Sequence, residues 1–167
     1  QTPKSFGTRF NVDVKVLHEV TSIDPEHKTV SVTDLGTGTS SEEPYDVLLL
    51  SPGAKPIVPD IKGSDSSKVF TLRTMEDTCR IKDHINASGS KSAVICGGGF
   101  IGIELAENLA GLGMDVYIVE LAPQVMTPVD PEIISFVHAR LRKAGIKLIF
   151  NDSITEISDN GTGLSVS

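Results

Sequence analysis

The chain has 167 residues, of which 39% are hydrophobic and 22% are charged, a composition typical of a folded globular chain rather than a disordered one. The net charge of −7, the few aromatic residues and the lack of tryptophan give no basic, base-stacking surface for nucleic acid. No apolar run approaches the roughly 20 residues of a membrane-spanning helix, so neither nucleic acid nor a membrane is expected as a partner.

The first ten residues contain neither a starting methionine nor an apolar signal segment, so we expect a piece of a longer protein. The two cysteines, Cys79 and Cys96, are not in CxxC spacing, and no structural disulfide is expected. Cys96 ends an apolar stretch, which predicts a buried thiol. Together these features favour the reducing cytoplasm as the location.

Residues 1–62 are the first of two predicted segments. Thr2 as a possible N-cap, followed by Pro3, predicts a short helix at the start. Alternation of valines with polar residues then predicts two strands joined by the turn DPEH, as in a hairpin or a meander. The two strand stretches are VDVKVLHEVTSID and KTVSVT.

The rest of this segment is predicted in three parts. The composition of DLGTGTSSEEP is typical of a loop. The continuous apolar run YDVLLL, at 45–50, predicts a buried strand. The stretch SPGAKPIVPDIKG, which is rich in proline and glycine, predicts a linker between domains.

Residues 63–167 alternate between helix and strand patterns. Three helices are predicted, one capped by Thr74, one ended by Gly113 and one capped by Asp130. Strands are predicted in SAVIC, DVYIVE and IKLIF, and short antiparallel strands in ITEIS and LSVS. The alternation predicts an α/β fold with a right-handed, Rossmann-like parallel sheet and flanking helices. The middle helix is predicted to turn four side chains inward: Ile103, Leu105, Leu109 and Leu112.

Between the first of these strands and the middle helix lies a GxGxxG motif. It consists of Gly97, Gly99 and Gly102, with Gly98 as an additional glycine. Gly97 would permit the tight turn, Gly99 would let the backbone approach a pyrophosphate, and Gly102 would bring the helix close to the strand. The free N–H groups at the start of the helix would attract the phosphates.

An acid completes this pattern. Glu120 lies 18 residues after Gly102, at the end of the next predicted strand, where a carboxylate can bind the ribose hydroxyls. Its charge would repel a 2′-phosphate, and the residues at 121–123 include no arginine, so NAD is favoured over NADP. Two alternatives stay open at this point, namely FAD bound at the same motif and a tight turn with no ligand.

No catalytic or metal-binding constellation is predicted. The four histidines are scattered and lack metal-ligand spacing. His138, on an amphipathic helix, is predicted to be a surface or packing residue. Because no nucleophile–base arrangement can be read from the sequence, it predicts a binding site rather than a catalytic centre.

Three stretches resemble the NAD-binding domain of the flavin-dependent pyridine nucleotide–disulfide oxidoreductases: GGGFIGIELAENL, VYIVELAPQVMTPVDPEI and AGIKLIFNDSITEI. The most similar branch contains coenzyme A-disulfide reductase, NADH oxidase and persulfide reductases. RFNVDVKVLHEVTSIDPEHKTVSV and YDVLLLSPGAKP are similar to the FAD domain of that branch. The resemblance implies that 1–62 is the central part of an incomplete FAD-binding domain, with a β-meander. It implies that 63–167 is an NAD-binding domain without its C-terminal strands.

The resemblance also assigns cofactor contacts by position. Phe100 matches an aromatic residue that lies near the flavin and moves when the nicotinamide enters, although such a ring could simply be core. Glu104 matches an acid that pairs with a lysine beside the flavin, although it could be a plain surface carboxylate. The implied NAD contacts are Gly97, Gly98, Gly99, Phe100, Ile101, Gly102 and Glu120. The implied FAD contacts are Val20, near the adenine, and the turn Ser51, Pro52 and Gly53.

The implied parent enzyme carries FAD and passes hydride from NAD(P)H, with NADH favoured, through the flavin to a disulfide or persulfide. Coenzyme A would be its substrate or bound thiol, and the parent would be a homodimer. Neither cysteine of this chain matches the redox-active cysteine of the family, so the chain alone is predicted to be inactive. Two other functions stay open: an NADH oxidase or other flavin reductase with a different acceptor, and a non-catalytic nucleotide-binding redox sensor.

Overall fold

The structure, a computed structural model, describes residues 2–167. This part of the chain forms two compact units, one ending at Gly53 and one running from Ala54 to Ser167. The helices are α1 (Pro3–Phe10), α2 (Met75–Ser88), α3 (Phe100–Gly111) and α4 (Pro131–Lys143). The strands are β1 (His18–Asp24), β2 (Thr29–Asp34), β3 (Ser40–Pro44), β4 (Ser92–Cys96), β5 (Asp115–Glu120), β6 (Lys147–Phe150), β7 (Ile157–Asp159) and β8 (Leu164–Val166).

The first unit is a short helix followed by an antiparallel meander. The hydroxyl of Thr2 caps α1 by accepting a hydrogen bond from the Ser5 N–H, which confirms the predicted helix start. The three strands lie in the order β1-β2-β3, and Val30 and Val32 of the central strand are its buried side chains. In the turn between β1 and β2, the Asp24 carboxylate accepts hydrogen bonds from two backbone N–H groups, as the DPEH pattern predicts.

Two boundaries in this unit differ from the prediction. The strand predicted from Val12 begins only at His18, because Leu17 adopts a left-handed conformation with φ of 57° that interrupts the extended run. The predicted loop DLGTGTSSEEP is wrong at its end, where Ser40–Pro44 forms β3. That strand forms because its backbone pairs with β2, and such pairing at a sheet edge does not require apolar side chains.

The buried strand predicted at 45–50 is also wrong. Among the described residues this stretch forms neither helix nor strand, and the side chains of Val47 and Leu49 are each 88% exposed. After the N–H of Tyr45 bonds to the Lys28 carbonyl, no strand within residues 2–167 pairs with the backbone of this stretch. An apolar run forms a strand only where a partner satisfies its backbone groups.

The second unit contains the predicted parallel sheet. Its strands lie in the order β4-β5-β6, all parallel, with α3 and α4 as the connections. Ala106 and Leu109 of α3, and Ile134 and Leu141 of α4, lie on one face of each helix and are buried. They pack in one core with residues of the sheet and the connecting loops: Ile95, Val116, Ile118, Val125 and Ile146. This arrangement confirms the predicted α/β fold class.

The ends of these helices follow their predicted signals with one difference. Thr74 and Asp77 form a reciprocal capping box at the start of α2. Gly113 follows α3 in a left-handed conformation with φ of 81°, as expected for a helix stop. Asp130 does occupy the N-cap of α4, but its side chain makes no capping hydrogen bond.

Two burial predictions in this unit are wrong. Cys96 is exposed, because Ile95 points into the core and side chains alternate along a strand, which turns Cys96 to the opposite face. Leu112, predicted to face inward, is 70% exposed because it lies just beyond the last turn of α3. Cys79 is also exposed, and both cysteines are free thiols.

After the parallel sheet, β7 and β8 form the predicted antiparallel pair. An isolated bridge joins Lys62 to Glu156, and their side chains also form an ion pair. Within residues 2–167, no helix is long and apolar enough to cross a membrane.

Candidate dinucleotide site

The glycine-rich turn lies where the sequence predicted it, between the end of β4 at Cys96 and the start of α3 at Phe100. Gly97 adopts a φ of 102°, a conformation that side chains disfavour. Its N–H donates to the Val119 carbonyl at 2.8 Å, so the turn starts directly from the parallel ladder. The strand–turn–helix context that the motif requires is therefore present.

The other glycines of the turn serve different needs. A Cβ atom on Gly102 would lie 2.3 Å from the carbonyl oxygen of Gly97, so only glycine lets the helix sit this close to the turn. A Cβ on Gly98 would lie 2.7 Å from the Cγ1 atom of Val125, a fully buried side chain. A Cβ on Gly99 would meet no atom within 4 Å. The backbone at Gly99 is therefore open to a ligand, while the backbone at Gly98 and at Gly102 is closely packed.

Glu120, at the end of β5, is bound directly to this turn. One carboxylate oxygen accepts a hydrogen bond from the N–H of Gly98 at 2.6 Å, and the other accepts from the N–H of Ala122 at 2.8 Å. The side chain is half-buried, so these bonds hold it in one orientation. A carboxylate has about four acceptor positions, so each oxygen keeps capacity for a further donor such as a ribose hydroxyl.

The start of α3 is open. Gly99 occupies its N-cap, and no side chain within residues 2–167 caps it. The N–H groups of a first helical turn have no partner inside the helix, and with the helix dipole they form a site suited to an anion. Phe100 and Ile101 expose 66% and 53% of their surface, so bulky groups flank this helix start without covering it. Glu104 lies one turn further along and is also exposed.

The loop after β5 is the part of the site that the sequence did not reveal. The N–H of Met126 donates to the Gly98 carbonyl at 2.9 Å, and the N–H of Val125 donates to Nε2 of His138 at 3.3 Å. The His138 ring lies against Phe150, with ring centroids 4.8 Å apart. Burial, together with the positive charge of Arg142, lowers the pKa of His138. No pattern in the sequence links His138 to the glycine turn, since the link runs through a backbone group.

The predicted residues are only partly brought together. Gly97–Gly102 and Glu120 form one connected site, with Glu104 close by on α3. Val20 lies in β1 opposite Val32 and is 55% exposed. Residues 51–53 are exposed and form neither helix nor strand. Val20 and this turn belong to the other unit, and their predicted contacts with FAD remain predictions. Among residues 2–167, no three histidine, cysteine or acidic side chains are grouped to hold a metal ion.

A parallel sheet, a glycine turn with an open helix start and an acid bonded to that turn together define a dinucleotide-binding α/β domain. The chain belongs to the pyridine nucleotide-disulphide oxidoreductase family, whose profile matches residues 5–167. The predicted family is thereby confirmed.

Named relatives come from the expected branch. The chain is 35% identical to an NADH oxidase of Methanocaldococcus jannaschii and 34% identical to a coenzyme A disulfide reductase of Staphylococcus haemolyticus. The matches cover 93% and 95% of this chain but 35% and 36% of those proteins. The chain thus spans about a third of the length of the curated relatives it matches.

Solved structures of the same branch share the fold. The crystal structure of reduced CoADR-RHD from Bacillus anthracis matches with a TM-score of 0.88 and 42% identity, over 100% of this chain and 30% of that one. An NAD-dependent persulfide reductase from A. fulgidus matches with a TM-score of 0.87 and 30% identity, over 99% of this chain and 31% of that one.

Proposed function

We propose that this chain supplies the nucleotide-binding part of a flavin-dependent oxidoreductase and that its glycine turn binds NADH. The observation that carries the proposal is the bond between the Gly98 N–H and the Glu120 carboxylate. This bond joins the predicted phosphate-binding backbone to the predicted ribose-binding acid. The two groups are therefore held for one ligand that carries both a pyrophosphate and a ribose.

Each part of the turn has a role in this binding. The N–H groups at the start of α3 would hold the pyrophosphate, and the open backbone at Gly99 lets it approach. The free acceptor positions of Glu120 would bind the ribose hydroxyls. Phe100 and Ile101, which are exposed beside the turn, would flank the nicotinamide end. Bound NADH supplies the hydride; the residues of this chain orient it.

The environment of Glu120 favours NADH over NADPH. Its carboxylate would repel a 2′-phosphate, and the residues at 121–123 carry no positive charge to offset that repulsion. Because two backbone N–H groups fix the carboxylate, it cannot turn away from an incoming phosphate without losing those bonds. FAD at this same turn is the alternative ligand, since it has the same pyrophosphate and ribose.

For the full-length protein we propose transfer of hydride from NADH through FAD to a small disulfide or persulfide, with coenzyme A as substrate or bound thiol. The relative of S. haemolyticus named coenzyme A disulfide reductase and the A. fulgidus persulfide reductase support this. Val20 and the turn at 51–53 would contact the FAD, and Glu104 would pair with a lysine beside it. We also propose the reducing cytoplasm as its location, because both thiols are free and exposed.

A second candidate is an NADH oxidase, in which oxygen accepts the electrons. It is favoured by the M. jannaschii relative of that name, which is 35% identical. Both candidates use the same NADH site and differ in the acceptor. Anaerobic assays of thiol release from coenzyme A disulfide, beside aerobic assays of oxygen consumption, separate the two.

The NADH site is tested with Glu120→Ala in the full-length protein. We expect kcat/KM for NADH to fall about tenfold or more, since hydrogen bonds to a charged group contribute about 1.5–3 kcal/mol. The value for NADPH should hold steady or rise, because the repulsive charge is gone. Glu107→Ala, which removes an exposed acid of α3 that makes no bond to the glycine turn, is the control and should change neither value.

Comparing the activity with NADH and the activity with NADPH distinguishes a lost contact from a damaged fold. A variant that merely unfolds loses activity with NADH and NADPH alike and melts at a lower temperature. An unchanged KM for NADH in a folded Glu120→Ala protein would contradict the role of this acid.

A further inference from the structure

The loop at 121–129 connects the proposed cofactor site to α4 and is anchored at its middle. Val125 is completely buried, and its side chain packs directly against the backbone of Gly98. The next residue, Met126, donates its N–H to the Gly98 carbonyl at 2.9 Å. Gly98 is therefore held from both sides, by this loop and by the Glu120 carboxylate.

The loop is itself held from α4 by His138. Nε2 of this side chain accepts the hydrogen bond from the Val125 N–H at 3.3 Å. An imidazole nitrogen that accepts a hydrogen bond carries no proton, so the ring is neutral with its proton on Nδ1. The contact with Phe150 of β6 fixes the plane of the ring. Among the described residues, His138 is therefore the side chain that accepts the Val125 N–H.

We propose that His138 is a positioning residue for the dinucleotide turn: its neutral imidazole holds Val125 against Gly98, so that the Gly98 N–H stays directed at Glu120. The proposal rests on the proposed function, in which this turn binds NADH. It assigns to His138 a role in cofactor affinity although its ring bonds a backbone group outside the turn.

The same contact makes the turn sensitive to pH. A proton on Nε2 would replace the acceptor by a donor that faces another donor, the Val125 N–H. The loop at 121–129 contains no titratable side chain, and the one in β6, Lys147, bonds the Tyr117 hydroxyl. On α4, the charge of Arg142 acts on His138 and disfavours its protonation. The carboxylate of Glu120, the acid of the site, is bound by two N–H groups.

The experiment compares His138→Leu with His138→Gln in the full-length protein. Leucine fills space without an acceptor, whereas the glutamine amide oxygen can accept the Val125 N–H. Titration calorimetry with NADH at pH 7.5, without oxygen and with the flavin already reduced so that no hydride is transferred, should give a Kd about five- to tenfold higher for the leucine variant, since one hydrogen bond is lost. The glutamine variant should stay within about twofold of the wild type. As the pH falls from 7.5 to 5.5, the wild-type Kd should rise because His138 gains a proton. The Kd of the glutamine variant should rise less, because glutamine does not titrate.

A second measurement follows the turn directly. Amide hydrogen exchange at Gly98 and Val125 should be faster in the leucine variant than in the glutamine variant. An unchanged Kd in the leucine variant, or the same pH profile in wild type and glutamine variant, overturns the proposal. If the wild type binds no NADH, it is the proposed function that fails. In that case the exchange rates at Gly98 and Val125 test whether His138 positions the turn, and equal rates in the two variants would overturn the positioning role too.

Discussion

The apolar stretch at 45–50 and the strand–turn–helix around Gly97 contrast sharply, although both begin as short apolar runs followed by glycine. In the second, β4 pairs with β5 within thirty residues of chain, and α3 covers the sheet. In the first, no described strand pairs with the run, and Leu49 is 88% exposed. The same apolar signal therefore gives a strand only where the chain returns with a partner.

The largest expected effect tests this contrast in side-chain packing. Ile118 of β5 is completely buried, so Ile118→Ala should lower the free energy of unfolding of the second unit by about 3 kcal/mol. Leu49→Ala should change stability by less than about 0.5 kcal/mol, because the side chain is already in solvent. Urea unfolding of the 167-residue chain measures both. A large loss of stability in Leu49→Ala would show that the side chains at 45–50 are packed rather than exposed.

The next effect tests why the turn needs glycine. The Cβ of Gly102→Ala would overlap the Gly97 carbonyl, and we expect a loss of about 2 kcal/mol as the helix shifts away. Gly111→Ala is the matched control on the same helix, since a Cβ there meets nothing within 4 Å. It should be neutral or stabilise by a few tenths up to about 1 kcal/mol. Equal effects at the two glycines would mean that close approach plays no part.

A smaller effect compares helix caps in the two units. Thr74→Ala removes the capping box of α2 and should cost about 1 kcal/mol of stability. Thr2→Ala removes the corresponding cap of α1, whose side chains do not pack on a core, whereas Ile85 of α2 packs against the core of the second unit. The second change should melt that helix locally, seen as a small loss of helical circular dichroism, with little change in the unfolding midpoint. A shift in midpoint as large as for Thr74→Ala would contradict this distinction.

The smallest expected effect is a pH dependence of the free energy of unfolding that differs between the two units. Folding lowers the pKa of His138 below its ordinary value near 6.5, so the unfolded chain binds the proton more readily. Its contribution to stability is complete above about pH 6.5 and decreases as the pH falls. In the first unit, the lowered pKa values of Asp24 and Asp34, caused mainly by backbone hydrogen bonds, matter only below about pH 4.

Residue-resolved unfolding in urea at pH 7.5 and 5.5 measures this difference. The amides of the second unit should unfold at slightly lower urea at pH 5.5, and those of β2 should not move. His138→Gln should remove the difference. A shift of the same size in both units would point to net charge rather than to this histidine.

The sequence predicted the second unit well because its signals and their partners lie close together. Thr74, the glycine turn and Glu120 each mark a local event: a cap, a tight turn and a strand end. The strand at 40–44 and the exposed run at 45–50 were missed because pairing with a distant neighbour, rather than composition, decides a strand. The roles of His138 and Val125 were missed for a related reason. A bond from a backbone N–H to a side chain 13 residues away leaves no pattern in the sequence.

The most direct test of the proposed NADH site is hydrogen–deuterium exchange of the full-length protein with and without saturating NADH. If the turn binds the cofactor, peptides covering residues 96–104 and 118–126 should exchange more slowly when NADH is present, and those covering β2 and β3 should not change. Saturating NADH that leaves 96–104 unprotected, while protecting another region, would contradict the assignment of the cofactor to this turn.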